Sequence, residues 1–364
     1  MVIVNPFCAM VFSHYDFSFG THHDKDIIFV RFAYDKNLIQ ELRKKFPIAQ
    51  WSRTHTCWYL PDRPAIRETL QLPAKEIGKR IAGKIHPVNR LAFQEFIDQL
   101  MLKAYSPKTI KNYVCEFSHL LIALKHHPVN DLPEERLKDY FLYCVKNEGI
   151  KERQLNSRIN AIKFYFEKVL YREKMFFDIP RPKTPSTLPK ILTKAEIKKI
   201  FANTFNPKHL LMLQLSYGMG LRVSEIVNLK VEHINSEDML VHISGAKGKK
   251  DRYTQLPQSV LHLLREYYKA YRPKEWLFEG QYGGSYSVRS VQTVFKNAMK
   301  KAGISKTIGI HGLRHSYATH LLSQGADIRF IKDLLGHQSI KTTEIYTHIT
   351  DVNKYQVKSP LDTL

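Results

Sequence analysis

Four short stretches of the chain carry side chains able to act on an anion. "LSYGMGLRVSEIVNLKVEHI" bends at Gly218 and Gly220 and then offers Arg222, with Glu225 three positions on. Residues three apart share a helix face, so Glu225 can orient the Arg222 guanidinium. An oriented guanidinium presents a planar fork to a phosphate. "DMLVHISGAKGKKDRYTQLP" alternates as two strands around a glycine-bearing turn, with Lys247 between Gly245 and Gly248 and with Lys249, Lys250 and Arg252 following. A lysine on such a tip can donate a proton to a departing oxygen, although most hairpin-tip lysines are simply solvated. "HGLRHSYATHLLSQG" sets His311, Arg314 and His315 on adjacent helical turns. In "LLGHQSIKTTEIYTH", Gly336 ends a helix, His337 follows, and Tyr346 falls nine residues later. Alone, an aromatic residue in a helix is core packing far more often than a nucleophile.

His311 and His315 stand four apart, as paired zinc ligands on a helix would. Gly312, however, occupies the place of the catalytic glutamate such a motif needs, and no carboxylate follows nearby as a third ligand. Arg314 between them would repel a cation. A cluster of arginine and histidine donors favours an anion, so no metal is expected.

Composition agrees with an anionic partner. The 364 residues include 56 Lys and Arg against 34 Asp and Glu, a formal charge of +22. A surplus of that size points to nucleic acid first and an anionic membrane second. A ribosome-associated or merely basic protein is the plainer explanation of the charge. The membrane option weakens because no stretch approaches about 18 uninterrupted apolar residues. The beginning "MVIVNPFCAMVFSHYDF" also lacks a basic leader and a clear cleavage site. Cys8, Cys57, Cys115 and Cys144 are scattered without a CxxC pair. They are expected to be reduced thiols, which fits a cytoplasmic location.

Several elements must position these residues, and a hydrophobic content of 43% is ample for their cores. Residues 1–75 predict a small α+β module, β-α-β-β, with "KDIIFVRF" as a strand, "DKNLIQELRKKF" as a helix capped by Asp35, and "AQWSRTHTCWYLPD" as two short strands. Trp51, Trp58 and Tyr59 could stack on bases, or could form the core of so small a module. Arg31, Arg43, Lys44, Lys45 and Arg53 suit phosphates or a solvated face. Residues 84–171 predict four short helices in a bundle. The first places Ala92, Phe93, Phe96, Ile97, Leu100 and Met101 on one face, and the second opens on Ser106 as cap with Pro107 next. Lys108, Lys111, Arg158 and Lys163 fall on the polar sides and are DNA-binding candidates, as are Lys249, Lys250 and Arg252 on the hairpin. Residues 172–189 are a basic, proline-rich and semi-rigid linker. Residues 190–364 hold further helices interrupted by one hairpin, with a C-terminal tail. The expected fold class is mainly α with small β elements.

The motifs also occur in a telling order. R-x-x-E after a glycine turn, the hairpin lysine in "GAKGKKDR", H-x-L-R-H, L-G-H, and a tyrosine nine further on together resemble the tyrosine recombinase (phage integrase) family, in an Xer-like or mobile-element flavour. The match spans most of residues 190–350. The segment containing "SPKTIKNYVCEF" resembles that family's helical, SAM-like core-binding domain, and residues 1–75 resemble extra N-terminal domains seen in some integrases.

The resemblance implies a site-specific recombinase acting on duplex DNA, for integration or excision of a mobile element or for chromosome-dimer resolution. Tyr346 would be the nucleophile, forming a 3′-phosphotyrosyl bond and freeing a 5′-hydroxyl. Arg222 and Arg314 would hold the non-bridging oxygens, and Lys247 would protonate the leaving oxygen. His311 would assist proton transfer from Tyr346, and His337 would hydrogen-bond the phosphate. Glu225 would support Arg222, and His315 the pocket. Neither a metal nor ATP nor any other cofactor is implied, since arginines replace the cation of other phosphoryl-transfer sites. Partners would be specific double-stranded DNA sites, a homo-tetramer on paired sites, and in some settings an accessory DNA-bending protein, in the nucleoid and not at a membrane. The tail "YQVKSPLDTL" could dock on a neighbouring protomer or fold back on its own domain. A type IB topoisomerase-like relaxing enzyme is the nearest alternative. A DNA-binding regulator without catalysis is another, and an RNA-binding protein fits the motifs least.

Overall fold

The structure, a computed structural model, describes residues 14–23, 25–73, 77–172, 182, 188–246, 250–281 and 284–347. Backbone contacts divide the chain into two compact units, Met1–Pro73 with Thr187–Leu364, and Ala74–Ser186.

The N-terminal part of the first unit comprises β1 (Asp16–His22), β2 (Lys25–Arg31), α1 (Lys36–Lys45), β3 (Gln50–Ser52), β4 (Cys57–Pro61) and α2 (Pro64–Thr69). The sheet runs in the order β1-β2-β4-β3 with every pairing antiparallel. Alternation along β2 sends Ile28 and Val30 into a core with Leu42, Phe46, Leu60 and Ile66, while Ile27 and Phe29 are buried with Cys57 and Tyr59 on the opposite face. Asp35 caps α1, its carboxylate accepting from the Asn37 amide. Strand β1 is absent from the expected β-α-β-β order; its apolar alternation in "DFSFGTH" is short, Phe17 and Phe19, and of the two only Phe17 packs against the core while Phe19 is 49% exposed. Trp51 and Trp58 meet edge to face at 5.8 Å, Trp58 against the core and Trp51 half exposed.

The second unit is helical, with α3 (Lys79–Ala82), α4 (Arg90–Leu102), α5 (Pro107–Leu124), α6 (Glu134–Lys146) and α7 (Glu152–Phe164), the last continued by a π turn over Tyr165–Val169. Apolar stripes bring Phe93, Phe96, Ile97, Leu100, Val114, Phe117, Leu121, Ile159 and Phe164 into one core. The Ser106 hydroxyl accepts from the Thr109 amide, with Pro107 at the first helical position. Met101 departs from the expected stripe and is 50% exposed, because the step of about 100° after Leu100 carries it past the core face. Arg158 departs further. It is 1% exposed and donates to Glu116 at 3.0 Å, Glu148 at 2.8 Å and the Cys144 sulfur at 3.1 Å. Burial alone would lower its pKa, but these partners raise it. Arg158 is therefore a buried tie between helices and not a DNA-facing residue.

The rest of the first unit contains α8 (Lys194–Ala202), α9 (Pro207–Gly218), α10 (Val223–Val227), β5 (Ile234–Asn235), β6 (Leu240–Ala246), β7 (Lys250–Gln255), α11 (Gln258–Tyr271), α12 (Val288–Lys301), α13 (His311–Ser323), α14 (Ile328–Leu335) and α15 (Lys341–Glu344). A capping box between Thr193 and Glu196 starts α8. Strands β5-β6-β7 form an antiparallel sheet in that order. One core unites Leu211, Leu215, Ile226, Val241, Leu264, Phe295 and Leu313, and a smaller one gathers Ala318, Ile331, Leu335 and Tyr346. Among the described residues no helix is long and apolar enough to cross a membrane.

Candidate active site

Two glycines set the backbone of the site. Gly220, at φ +62°, turns the chain between α9 and α10, and a Cβ there would meet the Tyr317 ring at 2.6 Å and Leu335 at 2.8 Å. Gly336, at φ +63°, ends α14, and a Cβ there would lie 3.0 Å from the Arg252 side chain. Both turns need the left-handed region and close approach, which glycine alone supplies without strain. They also aim backbone carbonyls inward. The buried Arg314 guanidinium donates to the Gly220 carbonyl and, through its other terminal nitrogen, to the Leu335 carbonyl, each at 2.6 Å.

Around Arg314 the charges do not balance. Arg222, at the N-cap of α10, donates to Glu225 at 2.7 Å from its side chain and at 2.8 Å from its backbone amide. It also reaches the Gly336 carbonyl at 3.4 Å. Arg252, on β7, grips the same carboxylate with both terminal nitrogens at 2.9 Å. Arg314 stands 3.8 Å from that carboxylate. Three guanidinium groups thus converge on Glu225. Burial by itself raises the Glu225 pKa, but the hydrogen bonds and charge of Arg252, and then of Arg222, outweigh it and hold the carboxyl at about 2. Conversely, burial and then the neighbouring Arg222 charge lower Arg314 to about 9. One carboxylate shared among three guanidinium groups leaves the pocket short of negative charge, and a phosphate would supply it.

Histidines and one tyrosine complete the site. His311 opens α13, and its pKa is lowered by partial burial and by Arg314 and Arg222. One turn on, His315 Nδ1 lies 2.9 Å from the Tyr346 hydroxyl. Burial, His311 and Arg314 lower the His315 pKa to about 4, so its imidazole is neutral near pH 7. His337 follows Gly336, bonds the Thr343 hydroxyl through Nδ1 at 2.9 Å, and is lowered to about 4 by burial and by Arg314 and Arg222. Tyr346 lies just beyond α15 and is 2% exposed, its ring packed against Ala318, Ile331 and Leu335. Burial raises its pKa against the pull of Arg314 and Arg222.

The structure therefore brings together Arg222, Glu225, His311, Arg314, His315, His337 and Tyr346. The tyrosine hydroxyl expected beside His311 is bonded to His315 instead. Arg252, expected as a hairpin contact to DNA, is folded into the site with its side chain 11% exposed; the signal for this was only its place two residues beyond the lysine pair. Lys247 and Lys249 lie outside the described residues, as do His348, the tail and most of the linker. Lys250 begins β7. Lys108 and Lys111 are exposed on α5, and Lys163 pairs with Glu167 at 3.3 Å. Among the described residues no three His, Cys, Asp or Glu side chains gather as a metal site.

Comparison with known proteins extends this geometry. The phage integrase family matches residues 190–352, and the SAM-like N-terminal domain of phage integrases matches residues 92–174. The chain is 37% identical over 267 residues to the tyrosine recombinase XerA of Pyrococcus horikoshii, covering 72% of this chain and 90% of that protein. It is 31% identical over 279 residues to the tyrosine recombinase XerC of Bacillus subtilis, covering 70% and 90%. Among solved structures, the Tn1549 transposon integrase in complex with a circular intermediate DNA shares the fold with a TM-score of 0.58 at 18% identity, over 70% of this chain and 94% of that one.

Proposed function

The chain belongs to the phage integrase family of tyrosine recombinases, and from that membership we propose that it cuts and rejoins duplex DNA at specific sites through a covalent 3′-phosphotyrosyl intermediate. One observation carries the reading at the level of atoms: Tyr346 shares a pocket with a buried Arg314, whose nearby carboxylate, Glu225 at 3.8 Å, is already bonded by Arg222 and Arg252. Arg222 and Arg314 hold the two non-bridging oxygens of the scissile phosphate, whose charge grows as the tyrosine attacks. His337 donates to the same phosphate, and His311 stands at the mouth of the site to exchange protons. Lys247, which falls in the sequence between β6 and β7, protonates the departing 5′ oxygen. The phosphotyrosyl bond stores the energy for rejoining, so no nucleotide is consumed.

Four protomers assemble on two paired sites, with the tail beyond the nucleophile as a candidate bridge between them. An accessory protein that bends the DNA would assist some reactions. The work takes place on chromosomal or mobile-element DNA in the cytoplasm, and residues 1–75 serve as an accessory module.

The test needs no known site. The protein is incubated in EDTA with nicked genomic DNA from its source, quenched with denaturant, and searched by mass spectrometry for a DNA-linked peptide. Wild type is expected to yield an adduct at Tyr346, and Tyr346→Phe to yield none while binding DNA to within about twofold. Equal adduct yield from the two proteins refutes the assignment.

A further inference from the structure

The phenolic proton of Tyr346 must leave as the tyrosine attacks, and His315 touches the hydroxyl that carries it. We infer that His315, and not His311, receives this proton during strand cleavage and returns it during rejoining, an assignment that rests on the recombinase reading above. The contact is direct, 2.9 Å from His315 Nδ1 to the Tyr346 oxygen, within the reach a general base requires. His311 is a turn away, its ring centroid 6.1 Å from that of His315. His337 makes a different bond, its Nδ1 to the Thr343 hydroxyl at 2.9 Å, and its ring centroid lies 6.5 Å from that of Tyr346.

The helix explains the division of labour. Arg314 and His315 are consecutive on α13, so their side chains diverge by about 100°. One turns to the Gly220 and Leu335 carbonyls, the other to the tyrosine. A neutral imidazole is what a proton acceptor must be before the step, and burial first, then His311 and Arg314, keep it so. When the phosphate enters, its negative charge offsets Arg222 and Arg314, and the imidazolium formed by the step becomes affordable. As the bond from the Tyr346 oxygen to phosphorus forms and the bond from phosphorus to O5′ breaks, the phenolic proton moves to His315 Nδ1. O5′ takes its own proton from the hairpin acid. Rejoining reverses both transfers.

The test uses the full chain and a nicked duplex carrying the site recovered with the Tyr346 adduct, so failure of the recombinase reading shows first, as no adduct with wild type. His315→Asn keeps an amide near Nδ1 that bonds the tyrosine but cannot take its proton. Covalent-complex formation by H315N is expected to slow by about 100-fold, with DNA affinity within about twofold of wild type. A substrate with sulfur in place of O5′ needs no acid at the leaving group, and H315N should stay slow on it. Wild-type speed for H315N, or recovery with the sulfur substrate, overturns the assignment. If H315N does not fold, histidine ¹⁵N NMR of the wild type at pH 7 decides. His315 must carry its proton on Nε2, and a proton found on Nδ1 sinks the proposal.

Discussion

Glu225 accepts from Arg222 and Arg252 and sits 3.8 Å from Arg314, so its ionisation is bound up with the fold of the site. Its pKa falls from the usual 4.5 to about 2. Because the folded value is the lower one, the carboxylate contributes stability that is complete above about pH 4.5 and is lost as pH falls towards 2. The contribution is about 3 kcal/mol. Urea unfolding of wild type should therefore lose stability steeply across that window, and Glu225→Gln should be weaker at pH 7 but much flatter below pH 4.5. Parallel losses in the two proteins would show that Glu225 is not the group responsible. The types and order of Arg222, Glu225, His311, Arg314, His337 and Tyr346 were legible from spacing and resemblance. The place of Arg252 was not, because it depends on β7 crossing over a glutamate 27 positions away, and a linear run of basic residues looks the same whether solvated or folded inward. His315 was legible as a neighbour of Arg314 but not as the partner of Tyr346, 31 positions on.

At the scale of elements, each helix presents a polar side whose use depends on what packs beside it. Caps and apolar stripes were readable, as Asp35, Ser106 and Thr193 show, since those signals are local. Arg158 was misplaced for the complementary reason. Helix α7 gave it a polar face, but α5 brings Glu116 against that face from 42 positions away. Removing the arginine would leave a buried carboxylate without its cation, at a cost of about 3–5 kcal/mol. Arg158→Ala is thus expected to lower the melting transition of the helical unit by several degrees or more. Lys108→Ala, on the exposed surface of α5, should stay within about 0.5 kcal/mol of wild type. A melt unchanged by Arg158→Ala would mean that the tie contributes nothing to the fold.

Across the whole molecule, two kinds of positive charge serve different ends. Arg222, Arg252 and Arg314 are withdrawn from solvent and converge on Glu225, and in the proposed mechanism Arg222 and Arg314 address one phosphate group, late and at short range. The formal surplus of +22 lies mainly elsewhere, and its work is to attract a polyanion before any base or bond is met. Binding to a duplex of arbitrary sequence should accordingly weaken by about 10³–10⁵ between 50 and 200 mM salt if some 6–10 phosphates are neutralised. Fluorescence anisotropy at a series of salt concentrations gives the slope. Lys108 and Lys111 provide the finer test, because both are exposed on α5. Replacing both with glutamine should reduce that slope by about 2 if each displaces one counterion, while Tyr346→Phe leaves it unchanged. An unaltered slope in the double variant would move the DNA away from α5. A flat salt response in wild type would leave the surface charge without the role assigned to it, whatever the pocket does.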